Sequence, residues 1–360
     1  MVLSVGRLST LQLNLTNRRH VSTTTTALES AGREVSTGRR ADIFKDLGPR
    51  AAAALKLRSN EEDTQAYLLS NGVLGNKLQA MLTSTDSIRE RTQAVLESAL
   101  GNASRPVNGA DTLQEQARAA LESIVATLNT SYNGDHIFAG IESNEAPMTR
   151  WSETNPETGL SPKDVLEGIV GSGPTSVADV QAMTAEIDAI FDSSNTVNPE
   201  RNYEGTYFSG SPLQDSSGNP TNRVTARISP GQALDYGVQA NDQGFRDIIK
   251  GLSMLASTDV AQIDDPEAYE AFMSHVIDAL SAGQEGALDT SARIGFNQQV
   301  VETAVTRLTD LSLVQRTQIA NYETVDPYEA VTRMTSLENQ LQASYQVSAR
   351  LSNLSILNYL

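Results

Sequence analysis

LGNKLQAMLTSTDSIRERTQAVLESA, residues 74–99, sets Leu74, Leu78, Met81, Thr85, Ile88, Thr92, Val95 and Ala99 at steps of 4,3,4,3,4,3,4. At 3.6 residues per turn, that spacing keeps these positions on one side of a helix for more than three heptads. The expected element is a long bundle or coiled-coil helix.

GNASRPVNG (101–109) breaks the pattern, and Asp111 is a candidate N-cap for a helix striped by Leu113, Ala117, Ala120, Ile124 and Leu128. Upstream, Leu8, Leu11 and Leu15, then Leu28, Ala31 and Val35, predict an N-terminal helix that stops at Gly38. The segment RRADIFKDLGPR (39–50) reads as a loop. Residues 141–240 hold most of the prolines and many Gly, Asn and Ser, with the β-prone runs NYEGTYFSG (202–210) and NRVTARISPG (222–231). Helical pattern returns in DQGFRDIIKGLSML from Asp242 and in PEAYEAFMSHVIDAL, where Pro266 suits a first turn. A further long helix is expected from Glu285 to Tyr322, faced by Ile294, Val301, Val305, Leu308 and Leu311. The last one starts near Pro327 and is striped by Val331, Met334, Leu337, Leu341, Tyr345, Leu351 and Leu354, with Ile356 and Leu360 slightly off the line.

The expected fold is mainly α: a long coiled-coil bundle formed by both termini, with a smaller strand-containing domain inserted. Its segments are 1–50 (assembly helix and loop), 51–140 (outgoing helices), 141–240 (insert), 241–325 (returning helices) and 326–360 (C-terminal assembly helix).

Charge follows the same division. The net charge is −17, which argues against nucleic acid and anionic membrane as partners. Residues 141–290 carry 24 acidic and 7 basic side chains, so the flanks are neutral with 20 of each. The sequence contains 0 cysteines, which excludes disulfides, thiolate metal sites and cysteine nucleophiles. No apolar run approaches the ~18 residues of a membrane span, and no cleavable secretory signal is read at the start.

The chain ends on ASYQVSARLSNLSILNYL (343–360), an apolar stretch whose one charge is Arg350. Apolar ends need cover, since a leucine-sized side chain left in water forfeits roughly 1.5–3 kcal/mol. One expected cover is intramolecular: Leu8, Leu11 and Leu15 against Leu351, Leu354 and Ile356 in an antiparallel pair. Two helices still leave an apolar side open, and such a side marks an association surface.

The phrases VSTGRRADIF (35–44), YNGDHIFAG (132–140) and SLENQLQASYQVSARLSNLSILNYL (336–360) resemble the flagellin superfamily, and within it the hook-filament junction branch (hook-associated protein 3, L-type). The resemblance covers about 140 residues at the start and about 75 at the end. Filament flagellins usually carry an Asp-Asp-Pro-like element where this chain reads KDLGPR (45–50), and they close on a different end. The resemblance implies export of the unfolded chain through the flagellar type III apparatus and an extracellular place at the junction of hook and filament. It implies termini that fold into nested coiled coils on assembly. The implied partners are other copies in a ring, the adjacent hook-associated protein, flagellin, and an export chaperone holding the C-terminal helix. The assembly interface expected on this basis is Leu8, Leu11, Leu15, Leu337, Leu341, Tyr345, Leu351, Leu354, Ile356 and Leu360. The alternatives are a filament flagellin or an unrelated helical-bundle interaction protein.

No catalytic, cofactor-binding or metal-ligating residue is assigned. His20, His136 and His275 are scattered, and His136 lies in a turn read as a structural joint, with Gly134, Phe138 and Gly140 as its fixed points. Glu61, Glu62 and Asp63 start a predicted helix, where consecutive positions point apart and a solvated face favoured by the helix dipole is the expectation. GSGPTS (171–176) lacks the lysine of a phosphate loop and reads as a turn.

Overall fold

A computed structural model of the chain describes residues 10–104, 110–155, 158–214 and 218–353. The chain divides into two compact units, one of Met1–Ala66 with Thr309–Leu360 and one of Tyr67–Leu308. The expected boundaries at 140/141 and 240/241 fall inside the second unit. The reason is packing: side chains from 141–240 join one continuous apolar core with those of the flanking helices.

The second unit holds the greater part of α3 (Ala51–Gly101), which there buries all of Leu74, Leu78, Met81, Thr85, Ile88, Thr92, Val95 and Ala99. The two threonines fit an apolar seam because their hydroxyls donate within the helix, Thr85 to Met81 O at 2.9 Å and Thr92 to Ile88 O at 2.8 Å. Helix α4 (Asp111–Leu128) begins at Asp111 itself, with Ala110 in the cap position, and buries Leu113, Ala117, Leu121, Ile124, Val125 and Leu128. A hairpin of β1 (Ser131–Tyr132) and β2 (Asp135–His136) follows, turned by Asn133 and Gly134 at φ 54° and 93°.

The segment after the hairpin is more helical than its composition indicates. It holds α5 (Pro162–Val170) and α6 (Val177–Phe191), started by Ser161 and Ser176, whose side chains accept from Asp164 N and Asp179 N. NYEGTYFSG does not form the expected strand; it winds into the short α7 (Tyr203–Thr206). Tyr203 and Tyr207, four residues apart, are both buried and stack at 5.8 Å; one helical turn brings such positions together, whereas a strand would put them on the same face but about 13 Å apart. NRVTARISPG supplies β3 (Thr225–Ser229), paired antiparallel with β4 (Gln232–Asp235).

Helix α8 (Gln243–Ser257) is buried along almost its whole length. It lies against α9 (Pro266–Glu323), a single 58-residue helix where two were expected. Gly283 and Gly286 sit inside it; they act as a contact surface, since a Cβ on Gly286 would lie 2.6 Å from Gly244 Cα of α8. The chain closes with α10 (Pro327–Asn353).

One half-buried carboxyl carries a pH dependence. Asp247 on α8 has a side chain 14% exposed, and desolvation raises its pKa above the ordinary value, against the opposing effects of the Gln243 amide at 2.9 Å and Lys250 at 3.9 Å. A raised folded-state value favours the folded form at low pH, and this contribution is lost as pH rises through that value. Asp247→Asn should therefore raise the thermal midpoint at pH 7 and change it little at pH 3. An unchanged difference across that range would contradict the assignment.

Candidate assembly interface

In the first unit, α1 (Thr10–Thr37) and α10 pair antiparallel: Asn17 Nδ2 donates to Ser348 Oγ at 2.5 Å, and Arg333 meets Glu34 at 3.2 Å. The covered positions follow heptad steps on both helices. On α1 they include Asn17, Val21, Thr24, Leu28 and Ala31, with Glu34 also buried; on α10 they are Ala330, Met334, Leu337, Leu341, Ser344 and Ser348. Among the described residues of α10 only Ala330 is buried, and the rest of that line is half-buried. The seam of α3 is closed from all sides, whereas the terminal pair is covered from one.

Of the residues expected in the interface, Leu337 and Leu341 therefore lie in the intramolecular seam. Tyr345 is 54% exposed and Leu15 is 51% exposed. Leu8, Leu354, Ile356 and Leu360 lie outside the described residues, as do the side chains of Leu11 and Leu351. Val331 and Val347 add exposed apolar surface on α10.

A polar latch that the sequence did not announce fastens the root of the pair. After α1, Gly38 O accepts from Val325 N at 3.1 Å, Arg40 N donates to Glu323 O at 2.8 Å, and Arg40 Nε donates to Tyr322 O at 3.1 Å. The Glu323 carboxylate, 3% exposed, receives the Arg58 guanidinium and lies 4.0 Å from Arg39. The hydrogen bond to Glu323 holds Arg58 above its ordinary pKa. Partners here are separated by more than 260 residues, so no local pattern could have disclosed them. Alongside, Glu61 takes Arg316 at 2.8 Å, and Gln65 donates to Ser312 at 2.8 Å. Glu61 thus leaves the solvated face expected of the carboxylate cluster, while Glu62 and Asp63 are exposed. The α9 stripe also changes character here: Leu311 is exposed, and Ser312 and Gln315 are buried in its place. Glu323→Gln should weaken the latch by about 1 kcal/mol. The readout is faster hydrogen exchange at the Arg40 and Val325 amides with no change in the Tyr67–Leu308 unit; unaltered exchange would remove its claim to hold the pair.

The expected joint residues sit in the other unit. Gly134 is the hairpin tip, Phe138 is buried edge-on to Phe245 at 5.8 Å, and Gly140 (φ +77°) is wedged against Gln239 and Ser211. His136 Nδ1 lies 2.8 Å from Asn129 O. Among the described residues no three His, Asp or Glu side chains gather as a metal site, and no helix is long and apolar enough to cross a membrane.

Fold and interface together define a protein whose first and last described helices pair in one helical unit and leave Val331, Tyr345 and Val347 exposed on α10. The chain belongs to the flagellin family: the bacterial flagellin N-terminal helical region matches residues 8–143 and the C-terminal helical region matches residues 285–360. The two matches together span more than half of it. Members of this family are structural, self-assembling proteins of the flagellum. Among solved structures, a protein of Vibrio parahaemolyticus described as a flagellar hook-associated protein is similar at 13% identity and a TM-score of 0.51. That match covers 77% of this chain and 99% of the other, and it establishes likeness of fold. No curated protein matches the sequence.

Proposed function

We propose that this protein is the flagellar subunit that joins hook to filament, assembling as a short ring through its helical termini. The observation that carries assembly is the terminal pair, whose seam is covered from one side only; a neighbouring copy supplies the other side. The junction role, as against a filament, is supported by the ending LSNLSILNYL and by KDLGPR at 45–50. On this reading the neighbours are the adjacent hook-associated protein and flagellin. An export chaperone shields the C-terminal helix until it reaches its slot. The acidic stretch 141–290 keeps exported monomers apart in solution.

The test is a tag inserted near Ser217-Gly218, located by immunogold electron microscopy on intact flagella. One cluster at the boundary of hook and filament is expected. Label along the whole filament would make the protein a flagellin, and an absence of flagellar label would overturn both readings.

A further inference from the structure

The chain enters its middle segment at Gly140 and comes back at Gln239, and these two crossings touch. Ala240 N donates to Phe138 O at 2.9 Å, and Ser211 N donates to Ala139 O at 2.9 Å. Ser211 Oγ accepts from the amides of Ile141 and Glu142 at 2.8 and 3.1 Å. A Cβ on Gly140 would stand 2.4 Å from Gln239 Nε2 and 2.8 Å from Ser211 Oγ, so these groups surround one point.

Gln239 and Asn241 are 0% exposed and Ser211 is 4% exposed. Asn241 Nδ2 donates to Ser211 O at 3.2 Å, yet Asn241 Oδ1 has no partner among the described residues, and neither does Gln239 Oε1 or Nε2. Ser211 already accepts two bonds, and its hydroxyl hydrogen needs an acceptor. Native interiors rarely leave this many polar atoms unpaired at one place, and where they gather, a solvent molecule with about three hydrogen bonds is the usual remedy.

We propose that the joint contains a structural water molecule bound by Gln239, Asn241 and Ser211. It donates to Asn241 Oδ1 and Gln239 Oε1 and accepts from Gln239 Nε2 and the Ser211 hydroxyl. This satisfies the three atoms that the protein leaves over. The water belongs to the neck at which the middle segment is anchored, and it makes Gln239 a ligand rather than a filler.

The sign of one substitution tests this. Gln239→Met in the full chain keeps the length of the side chain and removes both polar atoms. In a dry joint that change deletes an unpaired buried amide, and the thermal midpoint rises. In a hydrated joint it takes two partners from the water and strands Asn241 Oδ1, and the midpoint falls by at least ~2 °C. A fall is expected. High-resolution density for the unaltered chain is the second measurement, with an ordered peak expected about 2.7–3.2 Å from both Gln239 and Asn241. A rise in midpoint, or density in which the Gln239 amide bonds directly to protein groups, would overturn the proposal. If the variant fails to fold, the density decides alone.

Discussion

Valine at Gly286 lowers the stability of the Tyr67–Leu308 unit by roughly 3 kcal/mol. That corresponds to some 6–12 °C in thermal midpoint for a unit of this size. The new Cβ would meet Gly244 Cα at 2.6 Å and Gly244 N at 3.1 Å, and the reciprocal Cβ on Gly244 would meet Gly286 C at 2.6 Å and Ala287 N at 2.8 Å. These neighbours are backbone, so no rotamer change gives way, and α8 must move off α9. Such a movement disturbs a wide area, because α8 buries Phe245, Ile248, Ile249, Leu252 and Leu255. Gly295 on the same helix has nothing within 4 Å of its own hypothetical Cβ, so Gly295→Val serves as the control and should change the midpoint little. Calorimetry of the two variants side by side is the measurement. Equal effects would mean that helix propensity, and not the close approach of α8, governs both glycines.

The same glycines show which parts of the structure could be read in advance. The seam from Leu74 to Ala99 was legible because burying one face of a helix imposes a local period. Gly283 and Gly286 were not, since a glycine that breaks a helix and a glycine that admits a second helix look alike until the partner is known. Tyr203 and Tyr207 misled in a related way: aromatic, β-prone side chains sit on a helical turn because that turn points both into one core. In the candidate interface, the stripe was read through Val331 and Tyr345, whereas the structure seats Ala330 and Ser344 in the seam. Hydrophobicity ranks the larger residues first, but two closely paired helices favour the smaller ones. Charged contacts such as Glu323 with Arg58 and Glu34 with Arg333 join distant parts of the chain and have no local signature.

That displacement by one position yields the sharpest test of assembly. Leu337 and Leu341 face α1, and Val331 and Tyr345 lie on the exposed side of α10. Leu337→Asp with Leu341→Asp places two carboxylates in the seam and forfeits up to about 1.5–3 kcal/mol at each position. The terminal pair should open, terminal helicity should fall in circular dichroism, and incorporation into flagella should stop, while the Tyr67–Leu308 unit unfolds at its usual temperature. Val331→Asp with Tyr345→Asp leaves the seam intact, so monomer helicity should hold. If a neighbouring copy covers that outer side, incorporation should still fall at least tenfold, because each new carboxylate would have to be desolvated against the partner at a cost of several kcal/mol. A paired, helical monomer that no longer assembles separates the two surfaces: the inner line builds the subunit and the outer line joins subunits. Normal assembly of the outer variant would instead show that Val331 and Tyr345 face solvent in the polymer, and the uncovered side of α10 would lose its role as the joining surface.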